Sequence, residues 1–154
     1  MAKIRPAGHS DIPALIALGR QMHAESPRFA RVKFDADKLC TQLVTMIESV
    51  WCMILVAEEE GQIVGTIGGG VTPYYFSNEL HGYEHWVYVA LSHRGSSVGA
   101  RLVKEWDNLL VSEGIKESVL GISTEVDSER TKQFYERLGY RLAGYIMVKS
   151  NVRL

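Results

Sequence analysis

Between the apolar, β-branched run WVYVAL (Trp86–Leu91) and the amphipathic run ARLVKEWDNLLVSEG (Ala100–Gly114) the chain carries Ser92-His93-Arg94-Gly95-Ser96-Ser97-Val98-Gly99. A strand that turns tightly into a helix aims several unpaired backbone N–H groups at one point, reinforced by the positive end of the helix dipole. Such a point takes an anion, phosphate above all. Arg94 adds a planar, permanent cation, and Gly95 and Gly99 lack the Cβ atoms that would hold a pyrophosphate away from the backbone. By itself the same stretch also reads as an ordinary glycine turn, and both readings stand at this point. It contains neither G-x-x-x-x-G-K-S/T nor G-x-G-x-x-G, and no acidic residue follows at ribose distance, which disfavours nucleoside triphosphates and dinucleotides. A phosphate-bearing cofactor held mainly by main chain remains, such as the pantetheine diphosphate of coenzyme A.

The elements that position this turn follow from local signals. KIRPAG (Lys3–Gly8) reads as a first strand that Pro6 confines to an edge or strand end. Ser10 is positioned to cap a helix carrying Ile12, Leu15, Ile16 and Met22, and Asp35 to cap a second one carrying Leu39, Leu43, Met46, Ile47 and Val50. Residues 52–72 read as a hairpin turning at Glu59–Gln62, and YEHWVYVAL (Tyr83–Leu91) as the strand that feeds the turn. A helix over 97–112 ends at Gly114, and ESVLGIS (Glu117–Ser123) supplies another strand. Asp127 or Ser128 caps a last helix ended by Gly139, and YRLAGYIMVKS (Tyr140–Ser150) reads as a closing strand or hairpin arm. The order β, α, α, β, β, β, α, β, α, β is mixed α/β, with antiparallel hairpins and a parallel crossover.

The chain has 154 residues, and 46% hydrophobic and 23% charged residues suit one globular domain spanning 1–154. A formal net charge of −1 supplies no broad positive field, so nucleic acid is not an expected partner. No segment has the long uncharged apolar run of a signal peptide or membrane span, so a cytoplasmic location with no membrane partner is expected. Cys40 and Cys52 show no paired spacing and are expected as buried free thiols. His81 and His85 lie roughly 13 Å apart on a strand, too far for one ion, and no metal is implied. The run Ile67–Val71, IGGGV, marks a bulge or the close approach of another backbone. Ser123, Glu125 and Asp127 read as solvated loop.

WVYVALSHRGSSVGARLV resembles the acetyl-CoA-binding segment of the GNAT superfamily of N-acetyltransferases, a strand ending V-x-P followed by R/Q-x-x-G-x-G/A opening a helix. SERTKQFYERLGYRLAGYIMVK resembles the family's second signature, N-x-x-A-x-x-F-Y-E-K-x-G-F and a following strand. Both occur in the family's order. The resemblance covers about the whole chain and implies a mostly antiparallel central sheet of six to seven strands, with a parallel splayed pair, flanked by about four helices. It implies acetyl-CoA as cofactor. Val87, Tyr88 and Val89 would then lie against the acetyl carbonyl and pantetheine arm, and Arg94, Gly95, Ser96, Ser97, Val98, Gly99 and Ala100 around the pyrophosphate. Ser128 falls at the second signature's asparagine, Phe134 packs inward, and Tyr135 matches the tyrosine beside the thioester sulfur. Ser97 replaces a glycine, Ser128 the asparagine and Leu91 the proline. Serine at 97 costs about 1 kcal/mol only if φ is positive there.

Amine acetylation needs a neutral amine, and a lysine-like amine of pKa about 10.4 is neutral to about one part in a thousand near pH 7.4, so a base or water chain is useful. The family's carboxylate position falls on His85. Glu84 is one residue off, and simple alternation sets it with Trp86 and Tyr88, opposite His85, Val87 and Val89, unless a bulge re-aims it. Either residue is a candidate base; a half-buried pair satisfied by its neighbours is the competing reading. Tyr135, a phenol of pKa about 10, suits proton donation to the departing thiolate, and a backbone N–H near Val89 suits polarisation of the carbonyl. Neither cysteine falls in the signatures, which points to direct attack by a primary amine in a ternary complex. A catalytically idle acyl-CoA sensor or scaffold is the alternative. Acceptor choice is expected from ESPRFARVKF and PYYFSNELHG, where Tyr74, Tyr75 and Phe76 with Glu79 form a wall for a basic amine, bury themselves or meet a second subunit in a homodimer.

Overall fold

The computed structural model describes residues 1–151. In chain order it contains β1 (Lys3–Pro6), α1 (Ile12–Glu25), α2 (Ala36–Glu48), β2 (Cys52–Glu59), β3 (Gln62–Pro73), β4 (Leu80–Val89), α3 (Val98–Ser112), β5 (Ser118–Val119) and α4 (Ser128–Arg137), with short 3₁₀ turns at His9–Asp11, Phe29–Arg31 and Leu91–His93. The strands lie in the order β1-β2-β3-β4-β5; the first three pairings are antiparallel and β4–β5 is parallel.

Alternation along β2 builds a core on each face of the sheet. Ile54 and Val56 join Ile12 and Leu15 of α1 and Leu43 and Met46 of α2. Leu55 and Ala57 join Leu102, Val103 and Trp106 of α3 and Tyr135 of α4. The helices sit where their apolar stripes require. Asp35 caps α2 by accepting the Lys38 N–H at 3.0 Å, and Gly114 and Gly139 leave α3 and α4 at φ 76° and 95°. Glu60 and Gly61, both at positive φ, close the tight β2–β3 hairpin.

Three expectations need correction. Ser10 does not cap α1: Asp11 occupies that position, and its carboxylate takes the Gly8 N–H at 2.8 Å and the Arg5 guanidinium at 2.7 and 2.9 Å. ESVLGIS contributes only the two-residue β5. Among the described residues the sheet has five strands rather than six to seven, and 140–150 form no strand. Beyond Val119 the Gly121 N–H turns inward to the Glu84 carboxylate, so the outer edge of β5 offers two residues, too little for a ladder. Tyr140 is nevertheless anchored, its hydroxyl 2.6 Å from Asp107 and 2.9 Å from Ser118.

Candidate active site

β4 and β5 pair only at Gly82–Ser118 and Tyr83–Val119, then diverge. Their divergence opens a cleft of about 460 Å³ between β4, the 93–99 turn, the 121–127 loop and α4. The Ala90 N–H bonds Val64 O at 2.9 Å, so ladder alternation turns the main-chain groups of Val87 and Val89 toward the open edge, where Val89 O accepts Arg94 Nε at 3.1 Å.

The turn has the predicted form. Gly95 has φ 80°, while Ser97 has φ −77°, a conformation open to any residue, so the serine there costs nothing. Among the described residues no acceptor takes the N–H groups of Gly95, Ser96, Ser97, Gly99 or Ala100. Five donors at the N-terminus of a 15-residue helix thus lie unpaired. A Cβ at Gly99 would lie 3.4 Å from the Phe134 ring and 3.5 Å from Val89, ordinary contact distances, so α3 approaches α4 and β4 here with room for one methyl group.

Arg94 is less free than its position suggests. Its terminal nitrogens hold Glu25 at the end of α1, and its guanidinium lies 5.2 Å from the Tyr88 ring centroid; the Tyr88 hydroxyl donates to Glu25 at 3.1 Å. This contact holds Glu25 below the usual carboxylate range, and burial beside Glu25 raises Tyr88 to about 12. By contrast, Arg130 and Arg137 on α4 line the cleft with no ion-pair partner among the described residues. They went unnoticed in the sequence although Arg130, Phe134 and Arg137 share a helix face at i, i+4 and i+7.

The β3–β4 ladder settles which way Glu84 points. Gly68 pairs with Trp86 and Gly69 with Glu84, leaving His85 as the extra residue of a bulge. Glu84 therefore shares the sheet face of Val87 and Val89, the side of Tyr135, and not that of Trp86 and Tyr88 as simple alternation expects. His85 is exposed, with its ring stacked toward Trp86 at 6.4 Å. The glycines permit this arrangement: a Cβ at Gly68 would lie 2.2 Å from the Trp86 ring, and one at Gly69 would lie 2.0 Å from Tyr83 O. Trp86 Nε1 then donates to Thr66 Oγ1 at 3.2 Å.

Burial raises the Glu84 carboxyl above the ordinary range, against the opposing pull of the Gly121 N–H. Burial and the charge of Glu84 together push the Tyr135 phenol upward, so it stays protonated. The cleft thus brings together Glu84, His85, Val87, Tyr88, Val89, Arg94, Gly95, Ser96, Gly99, Phe134 and Tyr135. Val98 is buried in the core instead, and Ser97, Ala100 and Ser128 do not line the cleft. Ser128 is exposed because Asp127 takes the cap, accepting the Arg130 N–H at 3.2 Å.

Ser123, Glu125 and Asp127 lie on a loop, with Glu125 and Asp127 exposed, and Ser123 and Asp127 line the cleft. Their loop is pinned to the α1–α2 loop, for the fully buried Ser26 donates to Thr124 O at 2.6 Å and Arg28 to Ser123 O at 3.2 Å. The second expected specificity loop is elsewhere. Tyr75 and Phe76 are each 93% exposed, pack on one another and line neither the cleft nor the cavity beside it.

A family model described as "Acetyltransferase (GNAT) domain" matches residues 50–142. No curated protein matches the chain. Among solved structures, glucosamine-6-phosphate N-acetyltransferase from Arabidopsis thaliana is 23% identical, with a TM-score of 0.78 over 99% of each chain. An acetyltransferase from Trypanosoma brucei is 22% identical, with a TM-score of 0.75 over 97% of this chain and 99% of that one. An aminoglycoside 6'-N-acetyltransferase from Acinetobacter haemolyticus is 14% identical, with a TM-score of 0.76 over 98% and 99%. At these identities the likeness is one of fold.

Proposed function

The chain belongs to the GNAT family of acetyltransferases, and from that premise we propose how its residues divide the work of acetyl transfer from acetyl-CoA to an amine. Bound acetyl-CoA supplies the acetyl thioester and a thiol leaving group. The free amides of residues 95–97, 99 and 100 receive the diphosphate, and Arg130 and Arg137 add charge at the same wall. The open main chain of Val87 and Val89 pairs with the amide-bearing arm, and the N–H at Val89 polarises the carbonyl under attack.

Glu84 takes the proton of the acceptor ammonium, directly or through water, and burial, by raising its pKa, makes it a stronger base than an ordinary carboxylate. Tyr135 keeps its proton for the departing sulfur. Cys40 and Cys52 are free and line neither cleft nor cavity, which supports direct attack without an acyl-enzyme. Free thiols also suit a reducing compartment, and we place the reaction in the cytoplasm. No helix of the described residues is long and apolar enough to cross a membrane.

One observation carries this reading: a turn with unpartnered amides, lining the cleft at Gly95, Ser96 and Gly99, opens into the same space as the half-buried Glu84 carboxyl and the buried Tyr135 phenol. Tyr135→Phe tests it. Turnover is expected to fall about 10²-fold while acetyl-CoA affinity is kept; undiminished turnover removes Tyr135 from the chemistry.

A further inference from the structure

On the other side of β4 from Tyr135 lies a cavity of about 360 Å³ between α1, the α1–α2 loop, α2 and the sheet. It shares Met22, His85, Trp86 and Tyr88 with the cleft, so the two spaces meet along the bulged segment of β4. Its walls are chiefly side chains such as Leu18, Met22, Phe29, Phe34, Leu39 and Trp86.

The charged groups around it are mostly of one sign. Lys33 and Lys38 line it, and the Arg20 guanidinium lies 4.5 Å from the Phe34 ring centroid. The lining contains a single carboxylate, Asp35, and this accepts the Lys38 N–H as the cap of α2. Glu25, at the cavity's junction with the cleft, is held by Arg94 and Tyr88. A second ammonium carried into this space meets one carboxylate, which also caps α2, and two lysines, whereas an uncharged apolar body is desolvated among aromatic and aliphatic walls. The volume lies in the range of small-molecule sites and suits an aryl or short alkyl group.

We propose that the acceptor is an apolar monoamine, aryl-alkyl or alkyl, whose body fills this cavity and whose single amine emerges at β4 beside Glu84, and that polycationic amines are rejected. This rests on the acetyl-transfer reading of the cleft.

The test compares hexylamine and phenethylamine with 1,6-diaminohexane, spermidine and kanamycin, following CoA thiol release by the wild-type protein at saturating acetyl-CoA. Acetyl-CoA binding is followed separately by thermal shift. The expected result is a kcat/KM for hexylamine at least about tenfold above that for the diamine of equal length. Gln42→Glu, which adds a carboxylate to the cavity wall, is expected to shift that ratio about tenfold toward the diamine with the acetyl-CoA thermal shift unchanged. Equal or better turnover of the diamine, spermidine or kanamycin by the wild type overturns the proposal. So does acetyl-CoA binding with no turnover of either monoamine. Absence of acetyl-CoA binding overturns the underlying reading of the cleft instead.

Discussion

Glu84 reaches the cleft because one extra residue, His85, interrupts the β3–β4 ladder beside it. Its half-buried carboxyl is partly desolvated with no cation beside it, so its pKa rises in the folded state. A group whose folded pKa exceeds its unfolded value stabilises the fold only while protonated: that contribution is complete below the unfolded pKa and is lost as pH rises through the folded one. Ionised Glu84 therefore costs the fold stability, a cost consistent with its proposed role as base. Glu84→Gln is expected to lower turnover about 10²-fold or more at neutral pH, while its melting temperature at that pH is equal to or above that of the wild type. In the wild type the acid limb of kcat/KM against pH is expected above the ordinary carboxyl value of 4.5, activity falling as Glu84 gains its proton; the variant should lack that limb. A Gln variant with wild-type turnover and the same limb assigns the base elsewhere. Glu25 has the opposite sign. Its depressed pKa means that the stability of its contact with Arg94 is present above the unfolded pKa and lost as pH falls through the folded one.

At the scale of elements, β3 serves the site through what it lacks. Gly68 leaves space for the Trp86 ring to lie across the strand, and that ring forms part of the wall between cleft and cavity. Gly68→Ala places a Cβ where the ring now is, and overpacking of this kind costs about 1–3 kcal/mol. The expected outcome is a lower denaturation midpoint, a shifted tryptophan emission and a raised KM for the amine with acetyl-CoA affinity kept; an unaltered KM would separate Trp86 from the acceptor. The strand, turn and helix around HRGSSVG were legible in the sequence because every signal there is local: β-branched residues, a glycine at positive φ, an amphipathic helix. The α4 segment FYERLG was legible for the same reason, and Tyr135 with it. The choice between Glu84 and His85 was not, because the bulge depends on how a partner strand of three glycines takes up the register. The closing strand expected at 140–150 failed similarly: its apolar alternation is real, but a strand needs an edge, and β5 ends after two residues. Arg130 and Arg137 were missed because helical spacing shows that they share a face without showing what the face looks upon.

Taken whole, the molecule has a formal net charge of only −1, so any attraction for an anionic cofactor is local, resting on the wall formed by the 95–100 segment, with its five free amides, and by Arg130 and Arg137. Those groups come from the turn into α3, its first residues and α4, and both helices share one core with the sheet, so their occupation is expected to stabilise the fold as a unit. Acetyl-CoA at about a hundred times its dissociation constant should add about 2.7 kcal/mol. The same wall provides the most direct test, through the amide ¹⁵N–¹H resonances of Gly95, Ser96, Ser97, Gly99 and Ala100 titrated with CoA and, in parallel, with pantetheine lacking phosphate. The account predicts that CoA shifts all five, in the sense of new hydrogen bonds to an anion, and that pantetheine leaves them in place. Saturable CoA binding with these five resonances unmoved would contradict it.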